Sequence, residues 1–426
     1  MDEIRIRHNR TLWTSYASIW LGFWLLTTHI ALGYSQMALS WSDGISGILL
    51  IVLGICSLSH RHTWALWAIA LIGVWLQFAP LFFWAKDPAA YLNDTLVGTL
   101  IIGLSILLPS MPDVGPSVPP GWSYNPSSWP QRLPVVILGT IGWFISRYLA
   151  AEQLGFIDRA WDPLFGVGTM RVISSHVSHL FPISDAGLGA MAYTLEVLLA
   201  LKGGQRRWHT MPWMVLLFGL IVVPLGLVTI LLIILQPVVV GAWCALCLFT
   251  AFCMTIMIAY SIDEMVAVLQ FLCEKRRGKK SFWEIFWKGD SCSSAEVDKR
   301  SPMMDASFPT LFSAASWGVA LIWNLFLSVL LGAGLMLLPW YLDVSKATAN
   351  SDHIAGALAI VISVISMAEV MRKLRYLNYL IGAWVLVSVL WFQEAWLIHG
   401  AIALLLILLS FRRGPVKEKY GSWEFF

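Results

Sequence analysis

Charge is what this chain lacks most. Asp, Glu, Lys and Arg make up 12% of its 426 residues, about half of what a soluble domain carries, so a water-covered globule of this length is excluded. The 28 basic and 25 acidic residues leave a formal net charge of only +3. Such a balance gives no footprint for nucleic acid. The first apolar run is too long for a signal segment and has no small-residue cleavage site after it, so no cleavable signal is expected.

What fills the chain instead is apolar. Hydrophobic residues reach 58%, Trp alone numbers 24, and the mean hydropathy is +0.72. The fold class this implies is all-α, a polytopic membrane protein with membrane lipid as its main partner. Twelve apolar runs are long enough to cross a bilayer core as helices, at about 12–34, 44–60, 63–84, 93–110, 134–151, 184–202, 212–235, 238–262, 316–340, 353–370, 376–392 and 394–411.

Basic residues set the orientation, because Lys and Arg near span ends stay on the cytoplasmic side. With residue 1 inside, the cytoplasmic segments hold 23 of the 28 Lys and Arg. Lys86, Arg159, Arg171 and Lys346 fall outside, and Arg147 is expected to snorkel from its helix to the outer interface. Both termini are therefore expected in the cytoplasm.

The chain divides into blocks. In the first, residues 1–110, Gly22, Trp24, Asp43 and Gly47 recur at an offset of 51 as Gly73, Trp75, Asp94 and Gly98, the mark of a duplicated helix hairpin with small residues for close packing. A weaker echo lies in residues 313–412, with Gly332 and Ser351 to Gly356 followed by Ile381 to Trp384 and Gly400. These blocks resemble the bacterial SPW-repeat membrane domain, with the Pro-Trp signature partly kept at Ala79-Pro80 and Leu338-Pro339-Trp340, and their chemistry reads as inert. Residues 111–133 form a Pro-rich linker expected to be extended. Residues 273–312 form a basic linker whose SFWEIFW segment is expected as a short interfacial helix, and 413–426 a cytoplasmic tail.

The central block, 134–272, carries the chemistry. Cys244-Ala245-Leu246-Cys247 lies in an apolar helix read as starting after Gln236-Pro237. Two thiols three residues apart share a helical face and can open or close a disulfide. About seven residues past Pro237, Cys244 should lie roughly 10 Å along the helix from its outer end, on the oxidising side of the membrane.

The flanking residues extend the pattern: DPLFGVGTMRVISSHVSHLFPISDAGLGAMAYTLEVLLA, a basic turn, an apolar helix, then GAWCALCLFTA. This arrangement resembles the vitamin K epoxide reductase family of membrane thiol oxidoreductases. The resemblance implies a central four-helix bundle holding a quinone of ubiquinone or menaquinone type beside the CxxC, and a bacterial inner-membrane location. It implies that Cys244 exchanges disulfides with an incoming thiol while the deeper Cys247 faces the quinone. Asp185 stands where relatives place a polar residue, commonly Asn, against the quinone carbonyl; Ser175 matches a recurring outer-loop Ser; Tyr193 belongs to the G-x-x-x-Y-T-L run; and Trp243 is a candidate pocket wall.

Two departures shape the reading. Relatives carry cysteine in the outer loop to pass electrons inward, whereas residues 152–183 contain none, and Thr169 stands near the expected place. Electrons must then come from a separate thiol, with an extracytoplasmic thioredoxin-like protein as the expected partner. Ala251 replaces a Tyr that animal enzymes hold near the quinone. Cys56 and Cys253 read as inert packing residues. Glu196, an acid inside a membrane helix, is either functional or paired with a buried polar group. The expected function is a thiol-disulfide oxidoreductase reducing a membrane quinone. The alternatives are a non-catalytic membrane scaffold with a degenerate CxxC, and a zinc site joining Cys244 and Cys247 to His176 and His179.

Overall fold

In the computed structural model, the described residues are 2–59, 62, 64–107, 115–180, 182–276, 281–392 and 394–425, with backbone only for 2–10. Arg61, Arg277, Lys279, Lys280, linker residues 111–114 and the side chains of Arg5, Arg7 and Arg10, all used in the reading above, lie outside them.

The protein is all-α. The first block supplies α1 (Asp2–Leu32), α2 (Met37–Ser57), α3 (Trp64–Phe82) and α4 (Pro88–Leu107). The centre supplies α5 (Trp129–Gln153), the short α6 (Gly168–Ile173), α7 (Asp185–Leu201), α8 (Arg207–Thr210), α9 (Pro212–Leu235) and α10 (Ala245–Lys275). After them come α11 (Phe282–Lys288), α12 (Phe308–Ala315), α13 (Trp323–Tyr341), α14 (Lys346–Ile365), α15 (Leu377–Phe392) and α16 (Trp396–Phe411). A helix stands at each of the twelve expected spans. Among the described residues, nine helical segments are long and apolar enough to cross a membrane.

Two compact units form. The first comprises Met1–Val114, Thr140–Trp161 and Ile173–Gly203, and the second Gly115–Gly139, Asp162–Val172 and Gly204–Phe426.

In the first unit the duplicated hairpins pack as the repeat requires. A Cβ on Gly22 would lie 2.7 Å from the Gly47 carbonyl and 2.8 Å from Ile51, and one on Gly73 would lie 2.8 Å from both the Gly98 carbonyl and Ile102. Hydrogen bonds cross between hairpins: Trp24 Nε1 donates to Asn93 Oδ1 at 2.8 Å and Trp75 Nε1 to Ser42 Oγ at 2.9 Å. Arg147 does not snorkel. It is 6% exposed, donates to the Gln77 carbonyl at 2.6 Å and lies over the rings of Tyr91 and Trp143. Those aromatic faces and that carbonyl offer the guanidinium partners inside the protein.

In the second unit the echo block repeats the packing. A Cβ on Gly332 would lie 2.7 Å from the Gly356 carbonyl, and one on Gly382 would lie 2.9 Å from the Ala403 carbonyl. The fourth hairpin therefore turns on Ala403; Gly400, read from sequence as its small residue, faces open space. Trp384 Nε1 donates to Ser351 Oγ at 3.0 Å, the counterpart of the Trp75 bond.

The polar linkers fold rather than trail. Ser117–Val118 pairs antiparallel with Glu296–Val297, and Trp122 bridges to Tyr420. Trp122, Tyr124, Trp208, Phe271 and Tyr420 share one core. Aromatic residues interleaved with the prolines give the expected extended linker something to bury. The SFWEIFW segment is helical, as α11.

Candidate functional site

The polypeptide enters the CxxC through a break in the helix. After α9, Gln236–Val240 forms a wide π-type turn, ended by Gly241 at φ +68°, a conformation that favours glycine. Gln236, 4% exposed, folds its side chain back so that Oε1 accepts the Cys244 N–H at 3.0 Å, while its carbonyl accepts from Ala242 N at 3.3 Å. Cys244 then takes the N-cap of α10, with its Sγ receiving the Cys247 N–H at 3.1 Å. This corrects the sequence reading: the helix spans 245–275 rather than 238–262, and Cys244 caps it instead of lying two turns inside. The pair thus stands at a helix N-terminus, the positive end of the helix dipole.

Cys244 and Cys247 are joined as a disulfide, with Cα atoms 5.2 Å apart. Cys244 is fully buried beside Val172 and Ala242, whereas Cys247 is partly exposed. The cover over Cys244 is held closely. A Cβ on Gly168 would collide with the Trp243 carbonyl. Asp162 ties the covering segment together, its Oδ1 accepting from Leu164 N at 3.0 Å and Phe165 N at 2.8 Å, and its Oδ2 from Thr169 N at 3.0 Å and Thr169 Oγ1 at 2.7 Å. Thr169 is thus a buried hydrogen-bonding residue of this cover. Partial burial pushes the Asp162 carboxyl up, but these four donors outweigh it and hold it below the usual carboxylate range.

Beside the disulfide lies a cavity of about 340 Å³, lined by Phe165, Gly168, Arg171, Trp243, Trp340 and His353 among others. Phe165 stacks against both Trp243 and Trp340, at centroid distances of 6.3 and 5.5 Å, and His353 meets the Trp243 ring at 5.3 Å. Trp340 and His353 belong to the echo block, so that block helps to wall the cavity. Sequence reasoning singled out Trp243 but missed Gln236, Asp162 and His353. Gln236, a lone amide between an apolar run and a proline, was the one visible signal.

The remaining candidates lie in the first unit. Asp185 opens α7; its Oδ1 accepts from Gln153 Nε2 at 2.5 Å and from Ala186 N at 2.7 Å. Gln153 also receives Ser184 Oγ, so the end of α5 and the start of α7 share one polar cluster. Tyr193, 3% exposed, packs its ring onto Gly142, where a Cβ would lie 2.5 Å from ring carbons. Ser175 precedes the turn His176–His179, and its carbonyl lies 3.0 Å from His179 Nδ1. The His179 ring stacks on Trp84. Among the described residues no three His, Cys, Asp or Glu side chains are grouped to hold a metal. Glu196 is 0% exposed, and among the described residues neither carboxylate oxygen has a hydrogen-bond partner, so of its two readings the polar pairing is not found there.

Residues 133–262 match the model of the vitamin K epoxide reductase family, and residues 12–108 match that of the SPW repeat domain. No curated protein and no solved structure matches the chain.

Proposed function

We propose that the chain is a membrane thiol oxidoreductase that draws electrons from an external thiol through Cys244 and Cys247 and delivers them to a membrane quinone. The observation that carries this reading is the Cys244–Cys247 disulfide at the α10 N-cap, inside the segment that matches the vitamin K epoxide reductase family.

The electron balance is simple. A donor thiolate attacks one sulfur of the disulfide, forming a mixed disulfide and releasing the other cysteine as a thiolate. A second donor thiol attacks the donor sulfur of that mixed disulfide and displaces the protein cysteine, leaving the donor oxidised to a disulfide and the protein as a dithiol. A quinone supplies the oxidant: it takes two electrons and two protons to become the quinol while the protein disulfide re-forms. For Cys244 to meet a water-borne thiol, the cover tethered by Asp162 has to lift, because Cys244 is sealed in the disulfide form.

Asp185 is proposed, as in relatives, to face the quinone. An ionised carboxylate only accepts hydrogen bonds and so does a quinone carbonyl, so Asp185 serves there as the acid, with Gln153 holding its Oδ1. Tyr193 and Trp243 are proposed as apolar walls and Ser175 as an outer-loop contact. The thiol donor is proposed to be a separate thioredoxin-like protein, given that residues 152–183 lack cysteine. The assignment of the C-terminal tail to the cytoplasm is supported by one feature of the second unit. Segments 204–211, 281–300 and 412–425, placed on that side by their charge, share contacts with one another and with the Pro-rich segment 115–128.

Gel-shift alkylation of membranes tests the proposal, with thiols trapped before and after quinone addition in wild type, Cys244→Ser and Cys247→Ser. Reduced wild type is expected to lose two alkylatable thiols when quinone is added, and each variant none. Thiols that stay unchanged in wild type would end the proposal.

A further inference from the structure

Overlaying the four hairpins through their close glycine contacts places Asp43, Asp94, Asp352 and His399 at one equivalent position, four residues before Gly47, Gly98, Gly356 and Ala403. Each pair meets its mate. In the echo block His399 Nε2 lies 2.8 Å from Asp352 Oδ2, both side chains buried, so acid and base answer one another. The first block has no base at the equivalent place. There Asp43 and Asp94, both 0% exposed, lie in hydrogen-bond contact with each other.

The rest of the surroundings are accounted for. Thr28 Oγ1 donates to Asp43 Oδ2 at 3.1 Å, Asn93 Nδ2 donates to Asp94 Oδ1 at 3.0 Å, and the Tyr34 hydroxyl reaches the pair while accepting from Asn93 at 3.1 Å. Asp43 Oδ1 and Asp94 Oδ2 remain, and among the described residues neither has a hydrogen-bond partner. A cation, Arg147 from α5, lies within the field of Asp94 and is itself buried, with two nitrogens lacking a hydrogen-bond partner among the described residues. Two carboxylates against one guanidinium leave a surplus negative charge in a membrane interior, which is costly. One proton between the two orphan oxygens removes the surplus and gives each a hydrogen-bond partner.

We propose that the first repeat block is a proton-binding site, holding one exchangeable proton between Asp43 Oδ1 and Asp94 Oδ2. The repeat then has a chemistry of its own, independent of the thiol reaction. The echo block is its built-in control, because His399 supplies there what the shared proton supplies here.

Infrared spectroscopy of the full-length protein in lipid, in H₂O and D₂O, tests this. Wild type is expected to show a carboxylic-acid C=O band above the amide I region, shifted by ¹³C-labelled aspartate and lowered in D₂O. That band should lose the intensity of one carboxyl in Asp43→Asn and equally in Asp94→Asn, because the single acid left can ionise against Arg147. Asp352→Asn should leave it unchanged. The absence of any aspartic-acid band in wild type, a result that needs no variant, would overturn the proposal, as would a band of full intensity in either Asp43→Asn or Asp94→Asn.

Discussion

Asp162 shows how a single loop residue can govern access to a buried disulfide. Its four accepted hydrogen bonds hold the segment that seals Cys244. Since its carboxyl is held below the usual range, the folded cover binds the proton less readily than the open chain. The stabilisation is therefore complete above the ordinary aspartate value, about 3.9, and is lost as pH falls from there through the lowered value. Reduction of the disulfide by a phosphine, which needs no thiolate, should accelerate as pH drops through that window in wild type. In Asp162→Asn the rate should already be high at neutral pH and flat with pH. Equal rates in the two proteins would show that the cover does not limit access. The sequence marked Cys244 and Cys247 through their spacing, but Asp162 is joined to them only by a loop's hydrogen bonds, which have no periodic signature.

At the scale of the element, the repeat's glycines are requirements of helix contact rather than of flexibility. Gly73 lets α3 approach the backbone of α4 at a point where a methyl group would meet the Gly98 carbonyl and Ile102 at 2.8 Å, whereas Gly103, on α4 itself, faces open space. Gly73→Ala is expected to cost about 1 to 3 kcal/mol, as overpacking does, and to lower the thermal midpoint in detergent. Gly103→Ala should leave the midpoint unchanged or slightly raised by better helix propensity. A Gly73→Ala protein as stable as wild type would mean that the helices separate without penalty. This pairing was legible because the offset of 51 repeats glycine, tryptophan and aspartate together. The helix start at Ala245 was not, because VVVGAWC continues the apolar run without a break in composition; the turn there depends on where the Gln236 amide reaches.

Across the second unit, segments far apart in the chain are locked by the tail. Glu369, 1% exposed, accepts the Lys417 and Glu418 N–H groups at 3.0 Å each and the Tyr420 hydroxyl at 2.9 Å. Arg300, from the basic linker, forks onto Glu418 at 2.5 and 2.7 Å and lies over the Trp317 ring. Charge placement put the linkers and tail on one side of the membrane, but their union was hidden, because its partners sit up to 296 positions apart, as in the bond from Lys419 N to Ser123 Oγ. Removing residues 415–426 would leave Glu369 a buried carboxylate without these three donors, and an unsatisfied buried charged group costs more than the roughly 1 to 3 kcal/mol of a neutral one. The truncated protein is expected to unfold at a lower temperature and to be cut by trypsin at Arg300 faster than intact protein, in which Glu418 holds that side chain. Tyr420→Phe isolates one of the three bonds and should cost about 1.5 to 3 kcal/mol, the value of a hydrogen bond to a charged group, without exposing the linker. If truncation leaves both the midpoint and the cleavage pattern unchanged, the tail rests on the unit without holding it.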